Sequence, residues 1–125
     1  MAFNEYLADR VDQLLQEHKA NYYAKKMMGG LVFMVEEKMC CGLLYDKKRE
    51  VDLLMLRIGE EAYPEAIKRE GCHPMDFTGR PMKGYVFVDP DGFDLDEQLE
   101  YWVQLALVYN PFAKMSAKRK KKLKD

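Results

Sequence analysis

The sequence is short of the side chains that nucleophilic and metal chemistry draw on. It holds one serine (Ser116), two histidines and three cysteines in 125 residues. No G-x-S-x-G surrounds Ser116, so a serine nucleophile has no elbow to sit on. Three is an odd count for disulfides. Cys40 and Cys41 are adjacent, and a bond between neighbours closes a strained ring, so a disulfide framework is excluded. The cysteine usage points to a reducing cytoplasm. No run of about 18 apolar residues is present to cross a membrane. The start, Met1-Ala2-Phe3-Asn4-Glu5, lacks the basic and then apolar stretch of a secretory signal.

Net charge is also small: 20 Lys plus Arg against 21 Asp plus Glu give −1. The distribution is not even. Residues 114–125 hold seven basic residues and one acid, a net of +6, so residues 1–113 carry 13 basic and 20 acidic groups, a net of −7. The reading is one domain over 1–113 followed by a basic tail, 114–125, too charged to order itself. A chain of this length buries about two-thirds of its unfolded surface and needs no metal or disulfide to be stable.

What is present is hydrophobic patterning. Leu7, Val11, Leu14 and Leu15 form a helical stripe behind Asn4, a good N-cap, which predicts a helix from Asn4 to about Ala20. Tyr22-Tyr23 belong to the connection that follows. Leu31–Val35, Lys38–Tyr45 and Val51–Ile58 read as strands of an antiparallel meander. Glu36-Glu37 joins the first two without the usual positive-φ preference of a tight turn. A short helix to about Arg69 carries Pro64 in its first turn. Cys72–Phe77 and Gly84–Val88 are further strands, and Asp89-Pro90-Asp91-Gly92 is a turn. Asp94, with Glu97 three residues on, opens a last helix along Leu95, Leu99, Trp102, Val103, Ala106 and Tyr109, stopped at Asn110-Pro111. The order is α-β(3)-α-β(2)-α, an α+β two-layer domain with helices on one face of an antiparallel sheet.

The strands do not alternate apolar and polar. Leu54, Leu56 and Ile58 share one face while Leu53 and Met55 lie on the other; Leu31, Phe33 and Val35 oppose Val32 and Met34. Either irregular segments cover the second face or another chain does, and a second copy is the simplest such partner.

Few groups suggest chemistry. Cys40, Cys41, Cys72 and His73 are the candidates for a thiol or metal site, but strand neighbours point to opposite faces unless a bulge intervenes. No C-x-x-C or second Cys-His cluster completes a tetrahedral site, and buried cysteines packing as small apolar residues is the simpler reading. Carboxylate pairs fall in turns and first helical turns, where they complement helix dipoles. Met34, Met39 and Met55 read as gap-fillers, and Gly29-Gly30 as a bend. No catalytic residue, cofactor or metal ligand is assigned, and an enzyme is not expected. The loop Pro74–Tyr85 is distinctive: Gly79 and Pro81 project Arg80, and Arg80 with Lys83 could hold an anion, or pair with Asp76 to fix the hairpin. Phe77 and Met82 complete this candidate contact surface. The tail run Lys118, Arg119, Lys120, Lys121 and Lys122 suits nucleic-acid phosphate or plain solubility, without aromatics to stack bases or an apolar stripe for a membrane.

Lys26–Val35, Lys38–Gly42, Arg57–Tyr63 and Pro74–Val86 together resemble the TfoX N-terminal domain, in the right order across about residues 4–109. Met28, Glu36-Glu37, Pro64 and the loop Asp46–Glu50 depart from the common pattern. The resemblance implies an α-β(3)-α-β(2)-α domain similar to the secretion-chaperone-like fold. It also implies a cytoplasmic role near bacterial competence regulation, where full-length members act with the cyclic-AMP receptor protein and carry a helical C-terminal domain. It brings no catalytic residues. The expected function is a regulatory protein-interaction module, most simply a homodimer, with contact to the transcription machinery implied by the resemblance; nucleic-acid binding through the tail is the alternative.

Overall fold

The structure, a computed structural model, describes residues 3–27, 29–75 and 82–114. Helix α1, Glu5–Glu17, starts where the Asn4 side chain accepts from the Leu7 amide at 3.1 Å. Strands β1 (Tyr22–Met27), β2 (Gly30–Val35), β3 (Lys38–Asp46) and β4 (Val51–Arg57) follow, then the short helix α2 (Tyr63–Ala66). Strands β5 (Cys72–Pro74) and β6 (Tyr85–Val88) complete one antiparallel sheet in the order β1-β2-β3-β4-β6-β5. Helices α3 (Pro90–Phe93) and α4 (Asp96–Tyr109) and a 3-10 turn, Asn110–Phe112, close the described chain. The α+β reading holds, with one strand more than expected. Strand β1 occupies the segment read as a connection, and most of its residues are exposed. An edge strand carrying Lys25 and Lys26 has no buried face to impose alternation, and its charges discourage pairing with other chains.

Two further boundaries differ. Asp89-Pro90-Asp91-Gly92 begins a turn of helix capped by Asp89, whose carboxylate accepts from the Asp91 amide at 3.0 Å. The last helix opens one residue later than Asp94, with Leu95 at the N-cap and Gln98 Oε1 accepting from the Leu95 amide at 2.9 Å. Glutamine at the third position thus does the work assigned to Glu97.

The core lies between the helices and one sheet face. Leu7, Val11 and Leu15 of α1 and Leu99, Trp102, Val103 and Ala106 of α4 pack on Phe33, Val35, Leu43, Leu54, Leu56, Val86 and Val88. The Trp102 indole N–H donates to the Gly92 carbonyl at 3.0 Å, so the largest core side chain leaves no polar atom unpaired. The opposite face carries its own cluster, Val32, Leu53, Met55 and Phe87 with Met75, ringed by half-buried Met27, Met34, Met39 and Leu44. The parity read from the strands is therefore right. The centre of that second face, however, is already buried within the chain.

The β2–β3 hairpin closes on two residues, Glu36 (φ 52°) and Glu37 (φ 65°), flanked by the pair Val35–Lys38. Both sit in the left-handed region, which costs roughly 1–2 kcal/mol per residue for side chains that carry a Cβ. A Glu36→Asn, Glu37→Gly variant supplies the residues such a turn favours. It forfeits an exposed hydrogen bond from the Tyr23 hydroxyl to Glu37 Oε2 at 3.1 Å, so a net gain of about 1–2 kcal/mol is expected. A higher urea midpoint at unchanged slope bears this out; an unchanged or lower midpoint contradicts it.

Candidate functional site: a pinned C-terminal ridge between two grooves

Helix α4 ends at a buried amide. Asn110 is the one buried polar residue among those described, 4% exposed. Its side chain donates to the Val35 carbonyl at 3.1 Å. Its own carbonyl accepts from Lys38 Nζ at 2.7 Å and from the Ala113 amide at 3.1 Å. Ala113 is buried, and the Arg57 guanidinium donates to the Lys114 carbonyl at 3.0 Å. The turn is thus tied to β2, β3 and β4 at once. Phe112 stands out from this frame 76% exposed, one helical turn beyond Val108 at 62%.

Two grooves flank the ridge. One, of about 500 Å³, is lined by Ile58, Ala62, Leu105 and Val108 with Glu61. The other, of about 370 Å³, is lined by Arg57, Lys83, Gly84, Tyr85 and Lys114. Gly59, Glu60, Tyr109 and Phe112 line both. Gly59 (φ 87°) is required here: a Cβ would lie 2.5 Å from the Tyr109 ring. The Ile58 and Gly59 amides both donate to the Gly84 carbonyl, at 2.8 and 3.1 Å, which fixes Lys83 beside β4. Arg57 also lies over the Tyr85 ring, 5.5 Å from its centroid. Burial pushes the Tyr85 hydroxyl pKa up, with Arg57 opposing, so Tyr85 is a neutral wall. The arrangement offers apolar surface flanked by two carboxylates and three cations, of which Arg57 is held by its own contacts. It has the makings of a contact surface.

Of the residues singled out from sequence, Lys83 is exposed in the basic groove and Met82 is exposed on the segment leading to it. Arg80 and Phe77, Asp76 as the proposed pairing partner of Arg80 and Lys83, and the tail residues Lys118, Arg119, Lys120, Lys121 and Lys122 lie outside the described residues. Arg57, Phe112 and Lys114 escaped sequence reasoning because two segments more than 50 residues apart bring them together beside Lys83. The available signal was Phe112, an aromatic past the end of the α4 stripe.

The three cysteines are buried in the core, as read from the sequence, but the adjacent pair does not split between faces. Phe33 pairs with Cys41 and Met34 with Met39, leaving Cys40 as the extra residue of a β-bulge. Both cysteines therefore join the helix-side core instead of opposite faces. The Cys40 thiol, by hydrogen bonding, and burial both push the Cys41 pKa up. Burial raises Cys72 to about 11, with Arg69 opposing. His73, next to Cys72 on β5, instead contacts Asp89, Nε2 to Oδ2 at 2.8 Å. Among the described residues no group of three His, Cys, Asp or Glu side chains is placed to hold a metal. No described helix is long and apolar enough to cross a membrane.

The family profile described as the TfoX N-terminal domain matches residues 13–108. Among solved structures, the crystal structure of a structural-genomics protein from Pseudomonas syringae is similar, with a TM-score of 0.56 and 14% identity. The match covers 79% of this chain and 93% of that one, and at this identity it speaks to the fold alone. No curated protein matches.

Two outcomes follow from the geometry. Asn110→Ala leaves the Val35 carbonyl without this partner in a buried setting, and urea unfolding is expected to show a loss of about 1–3 kcal/mol; a loss below about 0.5 kcal/mol contradicts the pinned turn. With all three thiols buried and the pKa values of Cys41 and Cys72 raised, Ellman's reagent at pH 8 is expected to react with the native protein at least about a hundredfold more slowly than with the urea-unfolded chain. A thiol titrating rapidly in the native protein would overturn the inert reading.

Proposed function

Since the chain belongs to the TfoX N-terminal domain family, we propose that it is a non-enzymatic regulatory module acting in the cytoplasm by protein contact, in the setting of competence gene transcription. The family is not a known enzyme family. One observation carries the reading: the most exposed large apolar side chain among those described, Phe112, stands on a turn fixed from three strands. An apolar side chain held out on a rigid frame suits recognition, because little ordering entropy is lost when a partner covers it. The described residues lining the grooves beside it include no Ser, Thr, Cys or His side chain to form a nucleophile–base pair. Direct nucleic-acid binding is the competing reading. A body of net −7 repels phosphate, which leaves the segment Lys118–Lys122 as its source.

The test is reconstituted transcription from a competence promoter with purified RNA polymerase and cyclic-AMP receptor protein. Adding the full chain is expected to change transcript yield in a manner that depends on the receptor protein. Replacing Lys118, Arg119, Lys120, Lys121 and Lys122 by glutamine is expected to leave that effect in place. No effect with the unmodified chain would overturn the regulatory reading. Loss of the effect together with loss of salt-sensitive DNA retention in the tail variant would replace it with the nucleic-acid reading.

A further inference from the structure

We propose that the Phe112 ridge is the contact of a two-fold homodimer, in which Glu60 and Glu61 of one copy face Arg57, Lys83 and Lys114 of the other. The inference rests on the reading of the chain as an interaction module and names a second copy as the occupant of its grooves.

A two-fold contact uses one patch against itself, with residue i meeting residue j and j meeting i. Such a patch needs an apolar centre and flanks of opposite charge. The surface has this layout. Phe112, Tyr109, Gly59 and Glu60 are common to both grooves; Glu61 lies only on the apolar side, and Arg57, Lys83 and Lys114 lie only on the other. Turning a second copy about an axis near Phe112 sets the acidic flank of each against the basic flank of its mate. Each Phe112 then enters the groove of about 500 Å³ beside Val108, Leu105 and Ala62. A partner of one charge sign would be attracted by one flank and repelled by the other.

Two other features fit. The turn bearing Phe112 is fixed by Asn110 and Arg57, so the patch is formed before association. The second sheet face, the other apolar surface available for pairing, is already buried at its centre: Val32, Leu53, Met55 and Phe87 are each at most 5% exposed. The full chain carries a net charge of only −1, so long-range repulsion between copies is weak. The charged flanks set the register, and burial of Phe112 supplies the affinity.

Sedimentation equilibrium of the full chain tests this. A mass of twice 14.7 kDa is expected at tens of micromolar protein. Phe112→Glu is expected to weaken association at least about tenfold. So are two charge-reversed variants, Glu60→Lys with Glu61→Lys, and Lys83→Glu with Lys114→Glu. Each alone self-associates that much more weakly, but an equimolar mixture of the two recovers the dimer, because every flank then meets its opposite. All the substituted side chains are exposed, and circular dichroism checks that each variant folds. A monomeric wild type, dimers unaffected by Phe112→Glu, or a mixture that stays monomeric would each overturn the proposal. A monomer that still alters transcription overturns this contact and leaves the regulatory reading standing. A dimer without effect on transcription does the reverse.

Discussion

The side-chain amide of Asn110 is the joint on which the candidate site depends. One buried residue ties the end of α4 to the last carbonyl of β2, while its own carbonyl receives the ammonium of Lys38 at the start of β3. Those two residues flank the Glu36-Glu37 turn, whose two positive φ values are unfavourable for glutamate. Strain of this kind persists where surrounding contacts over-determine the backbone. Here the contacts on either side come from a different part of the chain, more than 70 residues away. The same joint faces outward: with Asn110 and Ala113 held inside, the intervening Phe112 is left standing in solvent.

The two-sided apolar sheet leads to a different place from the one its pattern suggests. Strands apolar on both faces invite the idea of a face waiting for a partner. The centre of the second face is instead buried, and Met75 is the one described member of its buried cluster outside a strand. Methionine suits such a layer, since an unbranched side chain fills irregular gaps between strands. Unsatisfied apolar surface appears instead at the end of α4, where Val108 and Phe112 project beyond the stripe that packs on the sheet. A covered second face and an exposed ridge have different consequences for assembly, and they separate only once burial is known.

Much of the fold was legible because burial imposes a period. The stripe of α1, the face parity of Leu53–Ile58 and the stripe Leu99–Ala106 all follow from one-sided packing. Strand β1 was not legible, since an edge strand exposed at four of six positions carries no period to read. The Cys40 bulge was not legible either: one extra residue in one strand reverses the face of its neighbour, and that depends on the pairing partner. For the site, Lys83 was visible as a cation on a distinctive loop. Its companions Arg57 and Lys114 were ordinary basic residues until the Gly59–Gly84 contact and the C-terminal turn brought three segments into one groove. Asn110 looked like a helix stop, and nothing in its neighbours revealed a hydrogen bond to a strand 75 positions away.

The pinned turn is the claim on which the contact surface stands, and amide hydrogen exchange at Ala113 reads it directly. That amide donates to the Asn110 carbonyl at 3.1 Å and its residue is buried, although it lies at the end of the described chain. Exchange slowed at least about a hundredfold relative to an unstructured peptide is expected, as for an amide within the folded unit. Exchange of Ala113 at the unstructured rate, with the β3 and β4 amides still protected, would show a frayed turn and contradict the preformed ridge.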